Sequence, residues 1–392
     1  MTRILLLFAL LAVAAPTPAA PPADAPDAPD PVPIEEIQLF AEVMERIKRE
    51  YVGEVDDRTL MRNAIRGMLR GLDPYSDYLD ADGWEDIETL TTGRYDGLGV
   101  EVTIDDGLLK VVAPIDGGPA KAAGIQPGDT ILRIDDTVVQ ALEGQDAARL
   151  LRGPAGTSVR LQLARDGVDA PIDVTLERAN IEVVSAWGAL FDGRYVYLRL
   201  SVFSEDTPGE ALREFERLAG IAQRIDGVIL DLRSNPGGVL DAAVGIADLF
   251  LDAGLIVRAS GRTPAARYER KATAGDLIDG RPMVVLIDGG SASASEIVAG
   301  ALQDHERATI LGEQSFGKGL VQSVLAIGPT QGITLTTAHY FTPSGRSIHA
   351  VGITPDMVVD PAQASSPNDD RAVQAALNLL RGDGVMHARA DG

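Results

Sequence analysis

The sequence predicts an α/β core preceded by a compact β-rich module and a short helical lead. Three patterns carry that expectation. From Tyr195 onward, continuous apolar runs alternate with amphipathic segments, as buried strands covered by helices do. Between about Tyr95 and Arg178 the pattern shortens to period-two strands interrupted by glycine turns. Before that, Ile37, Phe40, Met44, Ile47 and Tyr51 recur at spacings of three and four, one face of a helix.

Taken in order, Arg3 followed by the 12-residue apolar run Ile4 to Ala15 reads as a secretory signal peptide over residues 1–20. The run is shorter than the roughly 20 residues that span a bilayer, so a membrane tether is the lesser alternative. Pro, Ala and Asp alternate over 21–33, an extended linker. A helical region follows over 34–94, its second helix lined by Leu60, Ala64, Ile65, Met68 and Leu72 and stopped at Asp73-Pro74. The β-rich module spans 95–178. It has a strand over Gly99 to Ile104, a short helix closed by Gly124, a strand over Ile131 to Ile134, a helix over Gln145 to Arg152 and a strand over Ser158 to Ala164. The α/β core runs over 179–362. Its strands are Tyr195 to Val202, Gly227 to Leu232 and Met283 to Asp288, and its helices cover Pro208 to Arg224, the stretch up to Leu251, and Glu296 to Asp304. The tail, 363–392, carries one helix over Arg371 to Leu380.

Composition excludes several function classes. The net charge is −23 with no basic block, so nucleic acid is not an expected partner. There is no cysteine, hence no disulfide and no thiolate nucleophile, and the four histidines have no metal-ligand spacing. No cofactor or metal is expected.

Two segments carry chemistry. Gly289 to Glu296 places a serine-rich turn between an apolar strand and a helix, and Phe316 to Gln322 sets Lys318 between two glycines. A hydroxyl at a helix start and a lysine able to act as its base are the parts of a Ser-Lys acyl-transfer site. The chain has 30 arginines and five lysines. A base must lose its proton, which arginine cannot do and a desolvated lysine can. Both glycine-rich turns, the second being Arg233 to Gly238, follow buried strands, where the reacting groups of α/β sheets gather.

Seven motifs in order give the chain its resemblance to a known family. They are Leu72-Asp73-Pro74 with Tyr75 to Leu79; Gly97-Leu98-Gly99-Val100; Pro119 to Asp129; Gly153 to Thr157; Asp231-Leu232-Arg233 with Asn235 to Gly238; Ser291 to Glu296 with Phe316 to Gln322; and Thr342 to Ile348. The chain resembles the carboxyl-terminal processing proteases, the tail-specific serine endopeptidases of the S41 type, over almost everything from Ile34 to Asp360. The resemblance implies a crotonase/ClpP-like α/β protease core with an inserted β-rich PDZ domain and an N-terminal helical segment. It implies Ser293 as nucleophile, Lys318 as base and Gln322 as the group that orients the lysine. It also implies protein or peptide substrates with free apolar C-termini, held by the PDZ domain through Gly97, Leu98, Gly99 and Val100. Apart from the resemblance, the apolar seam from Ile37 to Tyr51 reads equally as a homodimer or higher-assembly face and as a face packed on the chain's own core, the signal peptide points to an exported, periplasmic or otherwise extracytoplasmic location, and an adaptor protein is a further candidate partner.

The residues add detail to that reading. Ala294 N–H, at a helix start, is placed to donate to the oxyanion of a tetrahedral intermediate, with a second donor expected from Gly237 or Gly238. Asp304 lies 11 residues beyond Ser293, about 16 Å along a straight helix, and reads as structural. His305 and His339 are rival bases for a conventional triad. The alternative function is a catalytically inactive PDZ-bearing binding scaffold in the cell envelope.

Overall fold

The computed structural model describes residues 33–105, 107–142, 144–359 and 367–382. The signal peptide read over 1–20, and all of the 21–33 linker except Pro33, lie outside the described residues. Among the described residues no helix is long and apolar enough to cross a membrane.

The chain divides into two units, residues 1–62 and 63–392. The described part of the first unit holds helix α1 (Ile34–Glu50), with acidic residues in its first turn and Lys48 and Arg49 in its last, the charge order that suits the helix dipole. No residue of α1 is buried, and Ile34, Ile37, Leu39, Phe40 and Val43 stand exposed. Helix α2 (Asp57–Arg70) begins in this unit, where Asp57 pairs with Lys48 at 2.8 Å.

The second unit opens with strand β1 (Asp77–Leu79), helix α3 (Ala81–Thr92) and strand β2 (Arg94–Gly97). The sequence reading passes over α3, yet its signals are local. Asp80 caps it by accepting Gly83 N–H, and Gly93 ends it with a left-handed φ of 71°.

The β-rich module has strands β3 (Val100–Asp105), β4 (Leu108–Pro114), β5 (Thr130–Ile134), β6 (Thr137–Val138), β7 (Ser158–Ala164) and β8 (Ile172–Glu177). Helix α4 (Pro119–Ala122) and helix α5 (Gly144–Leu151) complete it. The strand order is β3-β4-β5-β7-β8. Its own core gathers Leu98, Leu109, Val111, Ile131, Ile134, Val159, Leu161 and Leu163. Among the described residues, strand β3 ends that order and pairs only with β4, which leaves one edge open.

Strand β9 (Ala179–Glu182) pairs with β2 and closes the module's neck. The α/β sheet then forms from β10 (Ala186–Phe191), β11 (Tyr195–Leu200) and β12 (Gly227–Asp231), with helices α6 (Thr207–Ile221) and α7 (Leu240–Asp248) between and after them. Strands β13 (Leu255–Gly261) and β14 (Tyr268–Lys271) leave this sheet for another one. Strand β15 (Met283–Ile287), helix α8 (Ala294–Asp304) and strand β16 (Thr309–Gly312) return to it. A long hairpin, β17 (Leu320–Ala326) and β18 (Gly332–Phe341), the short strand β19 (Met357–Val358) and helix α9 (Arg371–Arg381) finish the fold.

The sheet order is β10-β11-β12-β15-β16-β19, parallel from β11 on. Strands β12 and β15 are buried at every residue, as strands covered on both faces must be. Alternation sorts their side chains. Val228, Leu230, Val285 and Ile287 join the layer of α6, α7 and α8, while Ile229, Val284 and Leu286 face Val373, Ala376 and Leu377 of α9. The second sheet places β18 between β17 on one side and β1 and β13 on the other. Through it Asp77, far back in the chain, sits opposite Thr334.

Asp231, at the end of β12, is fully buried. It accepts Tyr197 Oη–H at 2.8 Å and Arg233 Nε–H at 2.9 Å, and Arg199 lies at 3.1 Å. Arg233 also pairs with Asp370 beside α9, at 2.9 Å. A broken buried pair leaves uncompensated charge, at about 3–5 kcal/mol, so this network holds the turn after β12 in one geometry.

Candidate active site

The turn after β15 runs from Asp288 to Ser293 and delivers the chain to α8. The three alternating serines of this turn and the first turn of α8 have different fates. Ser291 and Ser295 are fully buried, and their hydroxyls donate to Leu232 O at 2.8 Å and Asn235 O at 2.9 Å. Ser293 is half-buried and occupies the N-cap of α8, and its hydroxyl proton is given to no acceptor among the described residues. Its backbone is strained, with φ 55° at a non-glycine residue.

That strain is held by Glu296, which is fully buried. One carboxylate oxygen, Oε2, accepts Ser293 N–H at 2.8 Å and Lys318 N–H at 2.9 Å. The other, Oε1, accepts Gly317 N–H at 2.7 Å and Ser315 Oγ–H at 2.6 Å. Four donors meet the two oxygens, which is what a carboxylate taken out of water needs. The serine turn and the lysine loop are thus tied around one side chain. Phe316 N–H to Ser291 O, at 3.0 Å, adds a direct bond between them.

Lys318 Nζ donates to Gln322 Oε1 at 2.8 Å, and Gln322 Nε2–H donates to Tyr75 O at 2.7 Å. The register of β17 against β18 shifts between Val321 and Gln322, a bulge that re-aims the amide. The Nζ also lies 4.9 Å from the centroid of the Tyr75 ring. Desolvation lowers the lysine pKa below its ordinary value, and the charge of Asp73 partly opposes that shift. Gly319 is needed for the packing, since a Cβ there would lie 2.3 Å from His349 N.

The turn after β12 faces the serine. A Cβ at Gly237 would sit 2.9 Å from Ser293 Cβ and 3.0 Å from Ala294 N, so only glycine fits. The expected oxyanion donors divide here. Gly237 N–H is already given to Asn235 Oδ1 at 2.9 Å, which corrects its reading as a donor and leaves it the role of making room. Gly238 N–H and Ala294 N–H have no hydrogen-bond partner among the described residues. Asn235, fully buried, also accepts Ala292 N–H at 3.0 Å and donates to Leu200 O at 3.0 Å, joining both turns to the sheet.

The other sequence candidates lie apart. Asp304 accepts Ser344 N–H at 2.8 Å and pairs with Arg346, at the far end of α8. His305 Nε2 contacts Leu255 O at 2.7 Å, and the His339 ring packs against His349. Among the described residues no hydrogen bond joins Ser293 Oγ to either histidine or to Lys318 Nζ. Sequence reasoning assigned no role to Glu296, Asn235 or Tyr75. Each stands inside a quoted motif, but their partners come from other elements and no spacing reveals them.

The loop Gly97 to Val100 lies at a different place. Leu98 O accepts Ala120 N–H at 2.9 Å, Gly99 O accepts Ile115 N–H at 2.8 Å, and Gly99 has φ 66°. The Leu98 side chain is buried in the module's core. A cavity of about 760 Å³ opens here, lined by Tyr95, Val100, Val102, Ala148 and Leu151 among others, between β3 and α5. None of its lining residues belongs to the Ser293–Lys318 site.

The central tie is testable. Glu296→Gln keeps the shape but turns one acceptor oxygen into an N–H donor facing other donors. A loss of about 1–3 kcal/mol in denaturant unfolding is expected, with a fall in turnover although no reacting group is changed. Unchanged stability together with unchanged kcat is the result that contradicts it.

Comparison with known proteins gives this geometry its context. The model of peptidase family S41 matches residues 194–359, a PDZ-domain model matches 110–165, and that of the activating protease CtpB N-terminal domain matches 19–83. A carboxy-terminal-processing protease of Bartonella bacilliformis is 46% identical over 329 residues, 83% of this chain and 75% of the relative. A carboxyl-terminal-processing protease of Synechocystis sp. is 41% identical over 331 residues, 81% of this chain and 76% of the relative. A solved protein from Bacteroides fragilis, described as an S41 protease, shares the fold with a TM-score of 0.53 at 17% identity, covering 92% of this chain and 99% of its own. The chain belongs to the carboxy-terminal processing proteases of peptidase family S41 and is a serine-type peptidase.

Proposed function

We propose that the protein cleaves exported proteins near their C-termini with a Ser293–Lys318 dyad, and that its PDZ domain captures the free tail. The observation that carries the dyad is the uncommitted hydroxyl proton of Ser293, alone among three alternating serines, tied through Glu296 to the lysine loop. Lys318, held by Gln322 and desolvated, takes the Ser293 proton as Oγ attacks the scissile carbonyl, and later gives it to the leaving amine. Gly238 N–H and Ala294 N–H receive the oxyanion. The inactive-scaffold alternative has no comparable support: the relatives this chain matches are proteases.

Three outcomes follow from this reading. Ser293→Ala is expected to lose at least about 10³-fold in kcat. Lys318→Arg is expected to lose about 10²–10⁴-fold although it keeps the positive charge, since arginine stays protonated. Burial favours the neutral lysine, so activity rises with pH through a value below the ordinary lysine pKa. Rates on one peptide from about pH 5 to pH 10 check all three. Retention of most activity by Lys318→Arg, with its loss in His339→Ala, replaces the dyad with a histidine-based triad.

For the tail, the open edge of β3 and the backbone N–H groups of Leu98, Gly99 and Val100 support capture of a terminal carboxylate by strand addition. A tail peptide with an amidated end is expected to bind roughly 10–100-fold more weakly than its free acid. Equal affinities in a fluorescence titration remove the assignment. The exposed apolar face of α1 supports pairing of two copies, and an adaptor would meet such an assembly. Phe40→Asp is expected to halve the particle mass in light scattering, and an unchanged mass sets that pairing aside.

A further inference from the structure

The turn Asp73 to Ser76 belongs to neither the serine turn nor the lysine loop, yet it supplies the lysine's surroundings. Asp73 Oδ1 accepts Tyr75 N–H at 2.8 Å and Ser76 N–H at 2.9 Å, and Oδ2 accepts Ser76 Oγ–H at 2.9 Å. Ser76 Oγ in turn accepts Thr336 N–H at 3.2 Å, and β1 continues the turn as a strand on β18. Tyr75 is therefore fixed from both sides. Its carbonyl anchors the Gln322 amide, and its ring lies 4.9 Å from Lys318 Nζ. Its hydroxyl makes no hydrogen bond among the described residues.

We propose that Tyr75 is a positioning residue for the base, whose ring face stabilises the ammonium that Lys318 becomes on taking the Ser293 proton. The inference rests on the dyad reading above. Before attack the lysine is neutral and gains little from the ring. As the Ser293 Oγ–H bond breaks and the Oγ–C bond forms, the proton reaches Nζ, and the cation then faces the negative side of the aromatic quadrupole. An interaction made with the transition state and not with the ground state raises kcat.

Asp73, in the same turn, favours the charged lysine as well, while desolvation favours the neutral one. From the other elements, Gln322 meets Nζ from β17 and Glu296 meets the Lys318 backbone from α8. His349 abuts Gly319, His339 stands opposite Leu320, and neither hydrogen-bonds the lysine.

The test measures kcat and KM on one tail peptide across about pH 5 to pH 10, in the full chain. Four proteins are compared: wild type, Tyr75→Phe, Tyr75→Leu, and one with a ring-fluorinated phenylalanine in place of Tyr75. The last has nearly the shape of Tyr75→Phe but drains the ring face of electron density, so folding does not confound the comparison. Tyr75→Phe is expected within about twofold of wild type. The fluorinated ring and Tyr75→Leu are expected to lower kcat about threefold to tenfold with KM little changed. Their acid limb is expected to move to lower pH by about half a unit to one unit, because an ammonium without ring support gives up its proton more easily. A limb that stays in place or moves up in the fluorinated protein overturns the proposal, as does a Tyr75→Phe protein as impaired as Tyr75→Leu. Lys318→Arg, run alongside, separates the two levels. If it stays active the dyad itself fails, whereas an inactive Lys318→Arg with an unmoved limb removes only the role of Tyr75.

Discussion

A carboxylate removed from water must be given donors, and Glu296 finds all four of its donors in two loops far apart in the chain. That requirement organises the site. Three of the four donors are backbone N–H or hydroxyl groups of the lysine loop, and the fourth is the N–H of Ser293. Because hydrogen bonds have narrow length ranges, sharing Oε2 between residues 293 and 318 fixes one backbone relative to the other. The left-handed conformation of Ser293 is affordable only because its neighbours leave it no alternative.

Around that tie the fold separates two hydroxyls that donate to backbone carbonyls from one, Ser293, that gives its proton to no acceptor among the described residues. Ser291 and Ser295 lock the turn to Leu232 and Asn235, and Asn235 spends its own groups on Gly237, Ala292 and Leu200. The consequence reaches the backbone N–H groups of the facing turn. Gly237 gives up its N–H to hold the turn and contributes space, while Gly238, one residue on, keeps its N–H open. Rigid turns at the ends of fully buried parallel strands place these groups with little freedom to reorganise, the condition under which electrostatic stabilisation is strongest.

The surroundings of Lys318 are assembled across a second sheet. Strand β18 carries β17 on one side and β1 on the other, so the turn before β1 meets Gln322 and Lys318 although some 240 residues separate them in the chain. The polypeptide ahead of the β-rich module is thus part of the lysine's environment. This module is inserted between Tyr75 and the core that the turn serves, which places a PDZ domain within the covalent path between the two.

The sequence by itself determined the class of fold and its order of parts. Continuous apolar runs such as Val228 to Leu230 and Met283 to Ile287 have few options other than buried parallel strands, and the period-two pattern after Tyr95 can bury only one face of a strand. It also offered the candidate chemistry: a serine run at a helix start and a lysine between glycines are local chemical statements. Helix α3 and strands β13, β14, β17 and β18 were less legible. Their caps and alternations are weak, and the sheet they build is formed by partners distant in sequence. Which serine keeps its proton, which glycine keeps its N–H, and which aromatic ring meets the lysine were decided by tertiary structure alone. Each depends on a hydrogen bond or contact closed between elements far apart in the chain, and such closure leaves no periodicity or spacing to read.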